Sequence, residues 1–127
     1  MTDHPNAQIA REILSSLSWG DAGGLADAAI WHEPGTNRFS GKFQGRAAVE
    51  SRMDRLREAG IGHGFDIHDV VANDEHAVAL VHAHFTNARD ERYDGPQVIV
   101  MHVAEGMPTE FWVTNQDQAV VDLILGS

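Results

Sequence analysis

The chain contains no cysteine, which removes disulfide frameworks, thiolate nucleophiles and cysteine metal sites at once. Basic residues are also scarce. Nine Lys and Arg stand against nineteen Asp and Glu, a formal charge of −10, and that surplus repels phosphate backbones and anionic lipid. Nucleic acid and membrane surfaces are therefore not expected partners. No apolar run approaches the roughly 20 residues of a membrane helix, and the start MTDHPN lacks the basic-then-apolar order of a secretory signal. A cytoplasmic protein is expected. With 127 residues, 43% of them hydrophobic, there is material for one domain around one core.

What is present centres on residues 30–49, IWHEPGTNRFSGKFQGRAAV. Ile30 to Glu33 suits a strand, Pro34 lacks the amide to continue it, and Gly35 allows a sharp turn. Gly41 and Gly45 punctuate the following loop. Arg46 to Ala59 then reads as a helix, with Val49, Met53 and Leu56 at three-to-four spacing. Before this stretch, Asp3 is placed to cap a helix that tolerates Pro5 in its first turn and buries Ile9, Ile13, Leu14 and Leu17. Residues 22–29 read as a short or irregular second helix weakened by Gly23 and Gly24, each costing about 1 kcal/mol relative to Ala. After a glycine-rich connection at Gly60, Gly62 and Gly64, strands are expected at 65–72, 76–86, 97–105 and 109–116, neighbours pairing antiparallel, with 87–96 a polar connection. Asp117 caps a closing helix, Gln118 to Leu125.

Helices first, then a strand, a helix and a meander form the α+β pattern of helices gathered on one face of a curved sheet. The residues that carry this order are Gly20-Asp21, WHEPGTN at 31–37, the spaced glycines and GR-x-AV at 41–49, HDVVAND at 68–74, and VMHVAEG, TEFW and DQ between 100 and 118. Together they resemble the nuclear transport factor 2-like superfamily, and within it the SnoaL-like and ketosteroid-isomerase-like small proteins. The resemblance implies a cone: a curved antiparallel sheet with helices on its concave side, a cavity within, and a homodimer. The segment between Asp21 and Trp31 is about a helical turn shorter than that family leads one to expect.

Aligned to the ketosteroid-isomerase pattern, strand alternation turns Trp31, Glu33, His68, Val70, Ala79, Val81, Ala83, Phe85, Met101, Val103, Phe111, Val113 and Asn115 inward. Val78, Leu80, His82, His84, His102, Glu110 and Trp112 turn outward, a mixture that suits a subunit interface. Glu33 falls where the resemblance places a proton-shuttling carboxylate, and an apolar cavity would raise its pKa. His68 is a candidate to polarise a substrate oxygen. Asp117 lies near the acid/base aspartate of SnoaL-like cyclases, but capping the last helix is the favoured reading of it. Trp31, Phe85, Met101, Phe111, Val113 and Asn115 are the expected ligand contacts. The oxyanion donors of a ketosteroid isomerase fall on Ile13 and Met101, which donate nothing, and the carboxylate–arginine set of epoxide hydrolysis would fall on Val113 and Met101. Both reactions are disfavoured.

His82-x-His84 sets two imidazoles on one strand face, with His102 on a nearby strand. Without a neighbouring carboxylate in the pattern, a solvated or interfacial histidine patch is the expectation, with no metal. The functional expectation is a cofactor-independent acid/base enzyme, an isomerase, cyclase or dehydratase acting on an apolar or polycyclic molecule. The alternative is a protein that only binds such a molecule.

Overall fold

The computed structural model describes residues 4–126. Helix α1 (Pro5–Ser18) starts with Pro in its first turn, and its N-cap is His4, whose ring accepts from the Asn6 amide at 3.1 Å. The expected cap Asp3 lies outside the described residues. Ala7, Ala10, Ile13, Leu14 and Leu17 form the buried stripe, and full burial of Leu14 is worth about 2–3 kcal/mol. Both ends are tied to the sheet. Asn6 Nδ2 donates to the Asn73 carbonyl at 3.0 Å, and Ser18 Oγ donates to the Phe65 carbonyl at 2.9 Å while accepting from its amide.

Residues 22–29 form turns without a helix, against expectation. Gly23 and Gly24 weaken helical winding, and the segment bonds outward instead: the Ala29 carbonyl accepts from the Gly45 amide and the Asp27 carbonyl from that of Arg46. The Arg46 guanidinium adds an ion pair to Asp27 at 2.9 Å.

Strand β1 (Ile30–Glu33) ends at Pro34 as its chemistry requires. The return strand β2 (Gly41–Gln44) pairs antiparallel with β1 and is an element the sequence pattern did not reveal. Between them, the loop is clamped by Asp122, which accepts from the Thr36 amide and hydroxyl and, at 2.8 Å, from Asn37 Nδ2. Gly35 sits at φ 97, and a Cβ there would collide with the side chains of Asp122 and Gln118. Helix α2 (Arg46–Glu58) buries Val49, Arg52, Met53 and Leu56.

Four long strands follow: β3 (Gly62–Ala72), β4 (His76–Thr86), β5 (Arg92–Ala104) and β6 (Met107–Asn115). Each pairs antiparallel with the next, as expected, while β1 runs parallel to β6. The sheet is thus mixed, in the order β2-β1-β6-β5-β4-β3, curved and not closed. β5 begins within the segment read as a polar connection, because Tyr93, Gly95 and Gln97 continue its buried alternation. Helix α3 (Gln118–Leu125) is capped by Asp117, which accepts from the Val120 amide. No helix among the described residues is long and apolar enough to cross a membrane.

The core consists of two adjoining clusters, with Phe65 packed against both. In the first, Trp31 stacks on Phe111 at 5.2 Å between ring centres.

Candidate active site

The cavity opens where the two clusters meet. Its wall takes Leu17 from α1, Trp31 and Glu33 from β1, Val49, Arg52, Met53 and Leu56 from α2, and His63, Gly64 and Phe65 from β3. Phe85, Gln97 and Val113 complete it from β4, β5 and β6. The empty space is about 550 Å³ with its mouth included, but the centre of a water-sized sphere has only about 50 Å³ to move in. The cavity is a narrow slot, apolar on most sides, with its polar groups converging from four elements: Glu33 of β1, Arg52 of α2, His63 of β3 and Gln97 of β5.

Glu33 is 8% exposed and points inward as alternation from Trp31 requires. Its Oε1 accepts from Trp31 Nε1 at 2.8 Å and faces Arg52 Nη2 at 3.4 Å. Oε2 accepts from nothing among the described residues. Since no fully buried side-chain nitrogen or oxygen among them lacks a partner, Oε2 must touch open space. The same reasoning applies to Arg52, whose Nε donates to the Phe39 carbonyl at 2.9 Å while Nη1 has no acceptor among the described residues. Burial lowers the Arg52 pKa, Glu33 opposes the shift and Arg55 adds to it, yet a guanidinium remains a cation at any working pH.

His63, like Arg52 and Gln97, is a polar lining residue that sequence reasoning missed. Burial first, then the charges of Arg52 and Arg57, push its pKa down to about 4, so it is a neutral imidazole at pH 7. Its ring nitrogens bond to no described residue, leaving one donor and one acceptor for the cavity. The expected His68 does not reach it. A bulge between Ile67 and Asp69 inserts His68 as an unpaired residue, and its side chain is exposed. Val70 still faces inward, but upstream of the bulge the parity inverts, so Ile67, Phe65 and His63 face the core in place of His68.

The other expected contacts divide. Trp31, Phe85 and Val113 line the cavity, whereas Met101 and Phe111 are wholly buried away from its wall. Asn115 stands one step back: it accepts from Gln97 Nε2 at 2.8 Å, and Gln97 is the residue that lines the space. Asp117 is exposed and occupied as the α3 cap, outside the cavity. Ile13 and Met101 carry no side-chain hydrogen-bond donor, whereas Arg52 and His63, which line the cavity, do.

Arg52 was legible in principle, since it lies three residues after Val49 and four before Leu56, on the helix face those residues define. Gln97 was equally so, sharing parity with Ile99 and Met101. Nothing in the pattern announced the bulge that brings in His63.

A family model described as a SnoaL-like domain matches residues 22–111. Among solved structures, the chain is similar to Bal32a from a soil-derived mobile gene cassette, at 22% identity over 96% of this chain and 97% of that one, with a TM-score of 0.84. It is similar to a protein of unknown function with a cystatin-like fold from Xanthomonas campestris, at 21% identity over 96% and 98% of the two chains and a TM-score of 0.83. A putative SnoaL-like polyketide cyclase from Jannaschia sp. CCS1 shares 13% identity over 100% and 99%, with a TM-score of 0.72. No curated protein matches the sequence. At these identities the structural likenesses establish the fold alone.

Proposed function

The chain belongs to the SnoaL-like family, and from that premise we propose that it is a cofactor-independent acid/base enzyme in which Glu33 moves a proton on a small, mostly apolar carbonyl compound. The observation that carries this reading is the division of labour at Glu33. Oε1 is held by Trp31 and Arg52, which fixes the carboxylate in place, while Oε2 makes no hydrogen bond among the described residues and Glu33 lines the cavity. A carboxylate so oriented is a general base for a C–H next to a carbonyl. The oxygen that gains charge is served by Arg52 Nη1 and by a neutral His63 N–H, both in the same wall and both worth more in a water-poor slot than in bulk solvent. Isomerisation, aldol-type cyclisation and dehydration all begin with this enolisation. The fold similarity to a putative polyketide cyclase supports keeping cyclisation among them.

The narrow slot favours a flat single ring or a short chain over a polycyclic substrate. A purely binding protein would use the same groups to hold the carbonyl without moving a proton. Small cyclic ketones and diketones incubated with the protein in D2O distinguish the two. Protein-dependent α-deuteration above the buffer rate, read by NMR, supports the enzyme; saturable binding without exchange leaves only the binding reading.

The proposal includes a homodimer. On the sheet face turned away from the helices, Val78 pairs with Val100 and Leu80 with Val98, and Val100 pairs in turn with Trp112. Leu80 and Trp112 are 42% and 38% exposed, and this apolar strip suits a second copy of the chain.

A further inference from the structure

The outer sheet face carries a second cluster, separate from the Glu33 cavity. His82 and His84 project from β4 on the side opposite Ala83 and Phe85. Asp94 of β5 stands directly across from His84, and Asp66 of β3 directly across from His82, so three adjacent strands deliver four polar side chains to one patch. His84 is the hub: Nδ1 lies 2.6 Å from Asp94 and Nε2 lies 2.8 Å from Asp66. The His82 ring is 5.2 Å from that of His84 and makes no hydrogen bond among the described residues. One ligand atom from each of His82, His84 and Asp94 lies within 4.8 Å of the others.

We propose that His82, His84 and Asp94 form a binding site for a divalent first-row transition ion such as Zn2+, with His84 ligating through Nδ1 on the Asp94 side and Asp66 accepting from Nε2 on the other edge of the ring, which fixes the ring's orientation. Two imidazoles and a carboxylate are the donor types such ions select, whereas Mg2+ and Ca2+ favour all-oxygen shells. Binding requires His84 Nδ1 and Asp94, now 2.6 Å apart, to open and His82 to draw in, until the donors stand roughly 3.3 Å apart as around a tetrahedral ion. His82 is exposed and makes this adjustment by rotation. The carboxylate missing from the sequence pattern around His82-x-His84 is supplied by strand pairing, from a position 12 residues downstream of His82. His102, the third histidine considered with His82 and His84, does not take part; it pairs across the strands with His76, and the two rings lie 5.6 Å apart.

Arg92 holds Asp94 by Nε at 2.7 Å and Nη2 at 3.2 Å, so it competes for the same oxygens and repels a cation. This gives the site a variant that improves it. Tag-free, chelator-stripped protein titrated with ZnCl2 by calorimetry is expected to bind one ion per chain. His84→Ala and Asp94→Asn are expected to weaken binding at least about tenfold, Arg92→Ala to tighten it about fivefold, and His102→Ala to leave it unchanged. All four positions are on the surface, and thermal melts confirm folding. Absence of saturable binding, binding that survives His84→Ala, binding lost with His102→Ala, or an Arg92→Ala variant that binds no tighter would each overturn the assignment.

Discussion

Replacing Arg52 by Met tests the electrostatic frame of the cavity. The two side chains are 9% and 6% exposed, so solvent screens their interaction little. Met fills most of the aliphatic volume but removes the cation 3.4 Å from Glu33 and the donor to the Phe39 carbonyl. Breaking a buried pair by removing one partner costs about 3–5 kcal/mol, because the other charge is left buried alone. The orphaned carbonyl adds about 1 kcal/mol. A loss of about 5 kcal/mol is therefore expected in urea denaturation, a large fraction of the roughly 5–15 kcal/mol that holds a domain folded. The pairing term is isolated by adding Glu33→Gln, which removes the charge and keeps an acceptor for Trp31. The double variant is expected to be about 1.5 kcal/mol or more better than additive. Additive losses, or an Arg52→Met cost under about 1 kcal/mol, would refute the idea that the two charges hold each other.

Other consequences are open to measurement. His63 has a folded pKa of about 4 against an unfolded value near 6.5, so as pH falls through that window the unfolded chain takes up a proton the folded one refuses, and stability falls. With Arg52, Arg57 and the cavity carboxylate Glu33 around it, and allowing for its partial exposure, the loss is about 2 kcal/mol; His63→Gln should flatten the stability profile between pH 6.5 and 4, and an unchanged slope would contradict the placement. Asp122→Ala removes the acceptor for Thr36, Asn37 and Gln118, with an expected cost of about 2 kcal/mol in denaturant and faster amide exchange at Thr36; a loss below about 0.5 kcal/mol would show that the loop is held elsewhere. Leu80→Asp with Trp112→Asp should yield a monomer in analytical ultracentrifugation at concentrations where the parent chain is dimeric. A dimer that survives both changes must use another surface.

Much of the fold could be read from local chemistry. The Pro34 stop, the Asp117 cap and the clean alternation of His76 to Thr86 each act over a few residues, and the structure follows them. What escaped depends on contacts distant in sequence. β2 is four residues long and exists because β1 lies beside it, and residues 22–29 trade helix bonds for bonds to the start of α2. At the site, Glu33 and Trp31 followed from the family resemblance, which placed one face, and from one strand's parity, which a short strand preserves. His63 did not, because counting back from Val70 passes through a bulge whose single extra residue reverses every assignment before it. Asp66 and Asp94 likewise come to His84 only through strand register.

The account turns on Glu33 as the proton-moving group, and Glu33→Gln tests it most directly. The amide is isosteric, retains an acceptor for Trp31 Nε1 and cannot accept a proton from carbon. For a ketone that the parent protein deuterates, the variant is expected to lower the exchange rate about 100-fold or more while changing the dissociation constant little. Exchange at the parent rate in a folded Glu33→Gln protein would contradict the account.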